Sequence, residues 1–166
     1  MHLQETKIRK ISFGIAFSFI VAMGLVFLAD YLLNLNLYKF GVLPRQFSGL
    51  IGVLTSPFIH STNGYEHLFN NSIPMFVLTW LLFYSYRTIA TPVFTIIYLA
   101  TGLLVWLFAR ENYHIGMSGV IYGLTAFLII RGCVRKDIRI AGSSLLVMCL
   151  YGRLIWGILP QDPSIS

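Results

Sequence analysis

The stretch ISFGIAFSFIVAMGLVFLA, Ile11 to Ala29, runs for 19 residues without a charge, interrupted only by Ser12, Ser18 and small residues. It follows the basic cluster Lys7, Arg9 and Lys10. A cleaved secretory leader carries an apolar core of roughly 7–15 residues and a small-residue cleavage site. This longer run instead approaches the roughly 20 residues that cross a bilayer as a helix, and reads as a retained first span. Working outward, similar runs occupy about Leu68 to Tyr86, Pro92 to Ala109, Gly116 to Ile130 and Ile140 to Leu159. Five spans consume most of the chain, so residues 1–166 form one all-α polytopic membrane domain with no room for a second.

Composition agrees. Hydrophobic residues make up 57% and charged residues 11% of the 166, against roughly 45–50% and 25% in soluble domains. A solvated surface is hard to build from so few charges, and intrinsic disorder demands the opposite bias. Cys133 and Cys149 are too few for a disulfide framework. No metal or cofactor is implied, because His60, His67 and His114 lack accompanying carboxylates or thiols. The net charge of +6 is a statement about membrane orientation, not about nucleic acid, which is not expected as a partner.

With the N-terminus in the cytoplasm, the inner segments hold Lys7, Arg9, Lys10, Arg87, Arg131, Arg135, Lys136 and Arg139. The outer segments hold Lys39, Arg45 and Arg110, while Arg153 sits in the last apolar run. This bias predicts a multi-pass protein of the cell membrane, N-terminus inside, with the tail Pro160 to Ser166 outside. The first loop, about Asn34 to Glu66, mixes Leu37, Tyr38, Phe40, Phe47 and Phe58 with glycine and proline. Such a loop is expected to lie at the interface as amphipathic pieces.

Polar residues at membrane depth need a partner or a task. His67 and Asn71 open the second span at i, i+4, one helical turn apart on one face, so an imidazole and an amide can converge on one acceptor. They can equally be interfacial residues that meet water and headgroups. Pro74 in the next turn frees the carbonyl of Asn70. The second polar place is His114-Ile115-Gly116-Met117-Ser118-Gly119-Val120-Ile121-Tyr122-Gly123. Ser118 there is either an N-cap or a reactive group. The flanking glycines would admit a second backbone, and a helix N-terminus would stabilise an oxyanion beside it. Gly119 and Gly123 form a small-xxx-small pair that predicts a tightly packed neighbouring helix. Tyr122 shares the face of Ser118 one turn away.

These residues together resemble the rhomboid family of intramembrane serine proteases. The likeness rests on His67-x-x-x-Asn71, on Gly116-x-Ser118-Gly119, on Tyr122 four residues later, and on Leu54-Thr55-Ser56-Pro57-Phe58-Ile59-His60 leading to His67. The resemblance implies a rhomboid-like helical bundle with five of the usual six core helices. It implies Ser118 as nucleophile, with His67, Asn71 and the Ser118 backbone N–H holding the oxyanion. Gly116 and Gly119 would shape the turn, Tyr122 would pack against the catalytic base, and the three would line the substrate-binding site. Substrates would be transmembrane proteins of the bilayer whose helices unwind near the outer leaflet.

In the family the base is a histidine on the sixth span. Here His2, His60, His67 and His114 all precede Ser118, so the chain reads as stopping before that helix. His114, four residues before the serine, is a possible substitute. Ile51-Gly52 replaces the Trp-Arg pair common in the family's first loop, and Gly119 and Gly123 would then face an absent partner across an open groove. The competing reading is a non-catalytic rhomboid-like protein that binds transmembrane clients. A small transporter or channel component ranks behind both, since only Arg153 could line a path through the midplane.

Overall fold

A computed structural model describes residues 2–150. Its helices are α1 (His2–Leu33), α2 (Gly52–Thr55), α3 (Glu66–Ser85), α4 (Arg87–Phe108), α5 (Ser118–Val134) and α6 (Ile138–Leu150). Among the described residues the fold is all-helical, and β pairing is limited to one antiparallel bridge between Val42 and His114. Arg153, the tail Pro160 to Ser166 and the end of the last apolar run lie outside the described residues.

The apolar runs lie largely within helices, but α1 begins at His2 and α4 at Arg87, well before the uncharged runs expected from Ile11 and Pro92. On α1, Ser12, Ala16, Met23, Phe27 and Asp30 are buried, a single stripe spaced in threes, fours and sevens as an amphipathic packing face requires. Phe13 meets Phe76 edge-on at 5.2 Å and Phe27 meets Tyr65 at 5.6 Å, so α1 runs antiparallel to α3. Among the described residues two helices, Leu3–Leu33 and Arg87–Phe108, are long and apolar enough to cross a membrane. The α3 helix carries the polar run Asn70, Asn71 and Ser72, and α5 is shorter at 17 residues.

The core lies between α3 and α5. Met75, Leu78, Leu82 and Tyr86 of α3 interlock with Val120, Ile121, Leu124 and Leu128 of α5. With neighbours in lipid, such contacts hold helices together by close packing more than by water exclusion. Tyr86 meets Phe127 at one end and Asn71 lies beside Gly116 at the other, so α3 and α5 run parallel. The α4 helix returns between them and buries only Ala90 fully, leaving Ile96, Leu103, Leu104 and Phe108 exposed.

The first loop is not a free excursion. It folds into 3-10 turns at Leu37–Phe40, Phe47–Ile51 and Ser56–Phe58, with α2 between the last two. Trp106 Nε1 donates to the Gln46 carbonyl at 2.9 Å, the Tyr98 hydroxyl to the Leu54 carbonyl, and Arg45 Nη1 to the Ala109 carbonyl at 2.8 Å. These bonds pin the loop along α4. It thereby becomes the scaffold for the segment entering α5.

Candidate functional site

The buried stripe of α3 ends upward in a fully buried Asn71, one turn below His67. Pro74 is tolerated inside α3 and is buried there. The Asn71 Nδ2 donates to the His67 carbonyl at 3.0 Å, and its Oδ1 has no hydrogen-bond partner among the described residues. A buried amide oxygen without a partner is costly in an apolar setting.

Gly116 closes over this pair. Its φ is +102°, and a Cβ built on it would stand 2.6 Å from His67 Nε2 and 3.5 Å from Asn71 Nδ2. Both facts demand glycine, because other residues are strained at such a φ and the Cβ space is filled by the imidazole. Two backbone clips from the first loop set this approach. Gly116 N–H donates to the Ser56 carbonyl at 2.8 Å, and Val42 and His114 exchange N–H···O bonds at 2.9 Å in both directions.

Ser118 is the first residue of α5, and the cap position belongs to Met117, whose carbonyl accepts from Ile121 N–H. The Ser118 hydroxyl forms no hydrogen bond among the described residues, so it is not the N-cap that sequence left open. The first N–H groups of a helix have no partner within it, and the helix dipole makes that end favourable to negative charge. Gly116, two residues before Ser118, thus brings the start of α5 against the His67 imidazole and the Asn71 amide.

His60 packs its ring edge-to-face on His67 at 5.0 Å. It is 1% exposed and its Nδ1 lies 3.2 Å from the Phe58 carbonyl. Burial, then the neighbouring His67, lowers its pKa from 6.5 to about 4, with the bond to Phe58 opposing. His60 is therefore neutral at physiological pH and orders the loop behind His67.

Two sequence expectations change. Gly119 and Gly123 do pack a helix closely, but it is α4: their Cβ atoms would meet Thr101 Cβ at 3.4 Å and Ile97 Cγ2 at 2.5 Å. They face no open groove, and the expectation of an absent partner there is corrected. His114 holds the Arg110 carbonyl with Nε2 at 2.9 Å while its backbone is tied to Val42, so it is committed to the loop rather than to Ser118. Tyr122, whose hydroxyl is buried without a partner among the described residues, stands one turn along α5 from Ser118. The positioning roles of Val42 and Ser56 escaped sequence reasoning, their one signal being Gly41, whose Cβ would stand 2.7 Å from the His114 carbonyl. Among the described residues no group of three or more metal-ligating side chains gathers.

The Rhomboid domain family matches residues 47–166. Uncharacterized proteins of Mycobacterium bovis and Mycobacterium tuberculosis are 34% identical over 150 residues, covering 86% of this chain and 61% of their own length. One of Mycobacterium leprae is 29% identical over 150 residues, covering 86% of this chain and 58% of its own. The chain thus spans about 60% of the length of the curated relatives it matches. No solved structure matches it.

Proposed function

Because this chain belongs to the rhomboid family, we propose that it is the core of an intramembrane serine endopeptidase with Ser118 as nucleophile. In this reading the Ser118 Oγ attacks a peptide carbonyl of a transmembrane substrate. The developing oxyanion accepts hydrogen bonds from the Ser118 backbone N–H, His67 and the second N–H of Asn71. Donors fixed in advance within a water-poor site are worth several kcal/mol to such a transition state. Substrates are single-span membrane proteins whose helices unwind at the cleavage point, since a helical carbonyl is already bonded and shielded. Positive-inside bias supports an inner N-terminus, five spans and a site opening toward the outer leaflet.

The observation that carries the reading is Gly116, whose positive φ and contact with His67 bring the start of α5 onto the His67–Asn71 turn. The free Ser118 hydroxyl supports it further. A serine also needs a general base to become nucleophilic. His2 opens α1, His60 is buried behind His67, His67 is assigned to the oxyanion and His114 is bonded to Arg110. In this reading the general base is a histidine brought against Ser118 that is none of these four.

The test is labelling of the reconstituted protein with a serine-reactive fluorophosphonate, with and without a histidine-bearing helix fused after Ser166. The reading predicts labelling that depends on the added histidine and disappears in Ser118→Ala. Labelling that persists in Ser118→Ala sinks it.

A further inference from the structure

At the opposite end of the bundle, where Glu5, Thr6 and Arg9 of α1 line a shallow cleft with Tyr84, a different polar group is left unexplained. Tyr86 closes α3 and the chain turns into α4 at Arg87 without a loop. Its ring is 4% exposed and packs on Phe127 at 5.8 Å. Two guanidinium groups share that one ring: Arg131 at 5.8 Å and Arg135 at 5.4 Å from its centroid.

Neither cation forms an ion pair among the described residues. Among the described residues the one ion pair is Arg45 with Glu111, in the loops at the far end. Asp137, the acid nearest in sequence, is spent as the cap of α6, its Oδ1 accepting from Arg139 N–H at 3.2 Å and Ile140 N–H at 3.4 Å. The Tyr86 hydroxyl and Arg131 Nε are buried and have no hydrogen-bond partner among the described residues. A buried donor left open beside two unpaired cations is the chemistry of a site for an anion with several acceptor oxygens.

We propose that Tyr86, Arg131 and Arg135 bind the phosphate of an anionic phospholipid. The lipid source follows from what surrounds the arginines. Ile130 and Val134, each directly before an arginine at the end of α5, are 61% and 69% exposed, and Ile138, the first residue of α6, is 80% exposed. Acyl chains would lie on these apolar side chains while the phosphate meets the guanidinium fork. Zwitterionic lipids carry the same phosphate but no net charge, so two unpaired cations favour the anionic kind.

The test is native mass spectrometry of the full chain released from micelles containing phosphatidylglycerol or phosphatidylcholine. Wild-type protein retains phosphatidylglycerol over phosphatidylcholine. Arg131→Gln with Arg135→Gln weakens that retention by roughly 30-fold, the product of two surface cations. Should the double variant fold poorly, Arg135→Gln alone, at an exposed position, lowers it about fivefold. Tyr86→Phe, which keeps both ring contacts, lowers it less, and Arg45→Gln at the far end leaves it unchanged. Equal retention of the two lipids, or equal retention by the arginine variants and wild type, overturns the proposal. Orthophosphate that binds the lipid-free protein and displaces phosphatidylglycerol makes this a free-phosphate site and overturns the lipid assignment.

Discussion

Replacing Gly116 with alanine should damage the protein twice over, and the two effects can be separated. The backbone there has φ +102°, and holding a residue with a side chain in so sparsely populated a region costs about 1–3 kcal/mol. The new methyl would also stand 2.6 Å from His67 Nε2 and 2.9 Å from Cε1, where ordinary contact begins at 3.4 Å. The imidazole must therefore retreat by about 0.8 Å, the difference between 3.4 and 2.6 Å. It has little room, because the buried His60 ring is stacked edge-on 5.0 Å behind it. Overpacking of this kind adds roughly 1–3 kcal/mol. Equilibrium unfolding in mixed micelles, followed by circular dichroism, should show Gly116→Ala destabilised by about 2–6 kcal/mol in all. In a double-mutant cycle, His67→Ala should remove the steric part and leave the backbone part, giving a coupling of roughly 1–3 kcal/mol. A Gly116→Ala protein as stable as wild type, or a cycle with no coupling, would refute the placement of His67 against the entry to α5.

Gly123→Ala should cost about 1–3 kcal/mol by forcing Ile97 aside on α4, and Gly119→Ala much less, because its nearest neighbour stands at 3.4 Å rather than 2.5 Å; unfolding midpoints of the two variants rank them directly. Ser118→Ala should leave stability within about 0.5 kcal/mol of wild type, since the hydroxyl holds no hydrogen bond, and a large loss would show an unrecognised structural role for it. His60 gives the pH dependence: the unfolded chain takes up a proton near pH 6.5 and the folded chain only near 4. Its contribution is thus fully present above 6.5 and lost as pH falls toward 4, on the order of 3 kcal/mol across that window. Unfolding curves measured between these limits should show the slope, and His60→Gln should flatten it.

Much of this architecture was legible in the chain. The uncharged runs placed α3 and α5, and the C-terminal ends of α1 and α4, within about four residues, because in a membrane protein a break in apolarity tends to coincide with the end of a helix; the start of α4 lies earlier, at Arg87 rather than Pro92. The larger exception is the start of α1, which reaches back to His2 through Gln4, Glu5, Lys7, Arg9 and Lys10, residues polar enough to leave the bilayer yet good helix formers. Gly119 and Gly123 correctly announced a close helix but not which one, since small residues record distance and carry no label for the partner. The i, i+4 spacing of His67 and Asn71 survived intact in α3. What sequence could not reach was the junction: the bonds from Val42 and Ser56 are made by backbone groups, which every residue carries, so no side-chain pattern betrays them. The Tyr86–Arg131–Arg135 cluster likewise depends on α3 and α5 running parallel, a fact of topology.

In the proposed function the hydroxyl at the start of α5 performs peptide-bond cleavage with help from the α3 turn that carries His67 and Asn71. The most direct test is cleavage of a single-span fluorogenic substrate in proteoliposomes by the protein joined to a histidine-bearing helix. Cleavage is expected within the substrate's transmembrane segment, abolished by Ser118→Ala and reduced roughly 100-fold or more by His67→Ala or Asn71→Ala, as for loss of an oxyanion donor. Cleavage that survives Ser118→Ala would remove Ser118 as the nucleophile, and a folded protein that binds the substrate and never cuts it would leave a membrane-client binder instead.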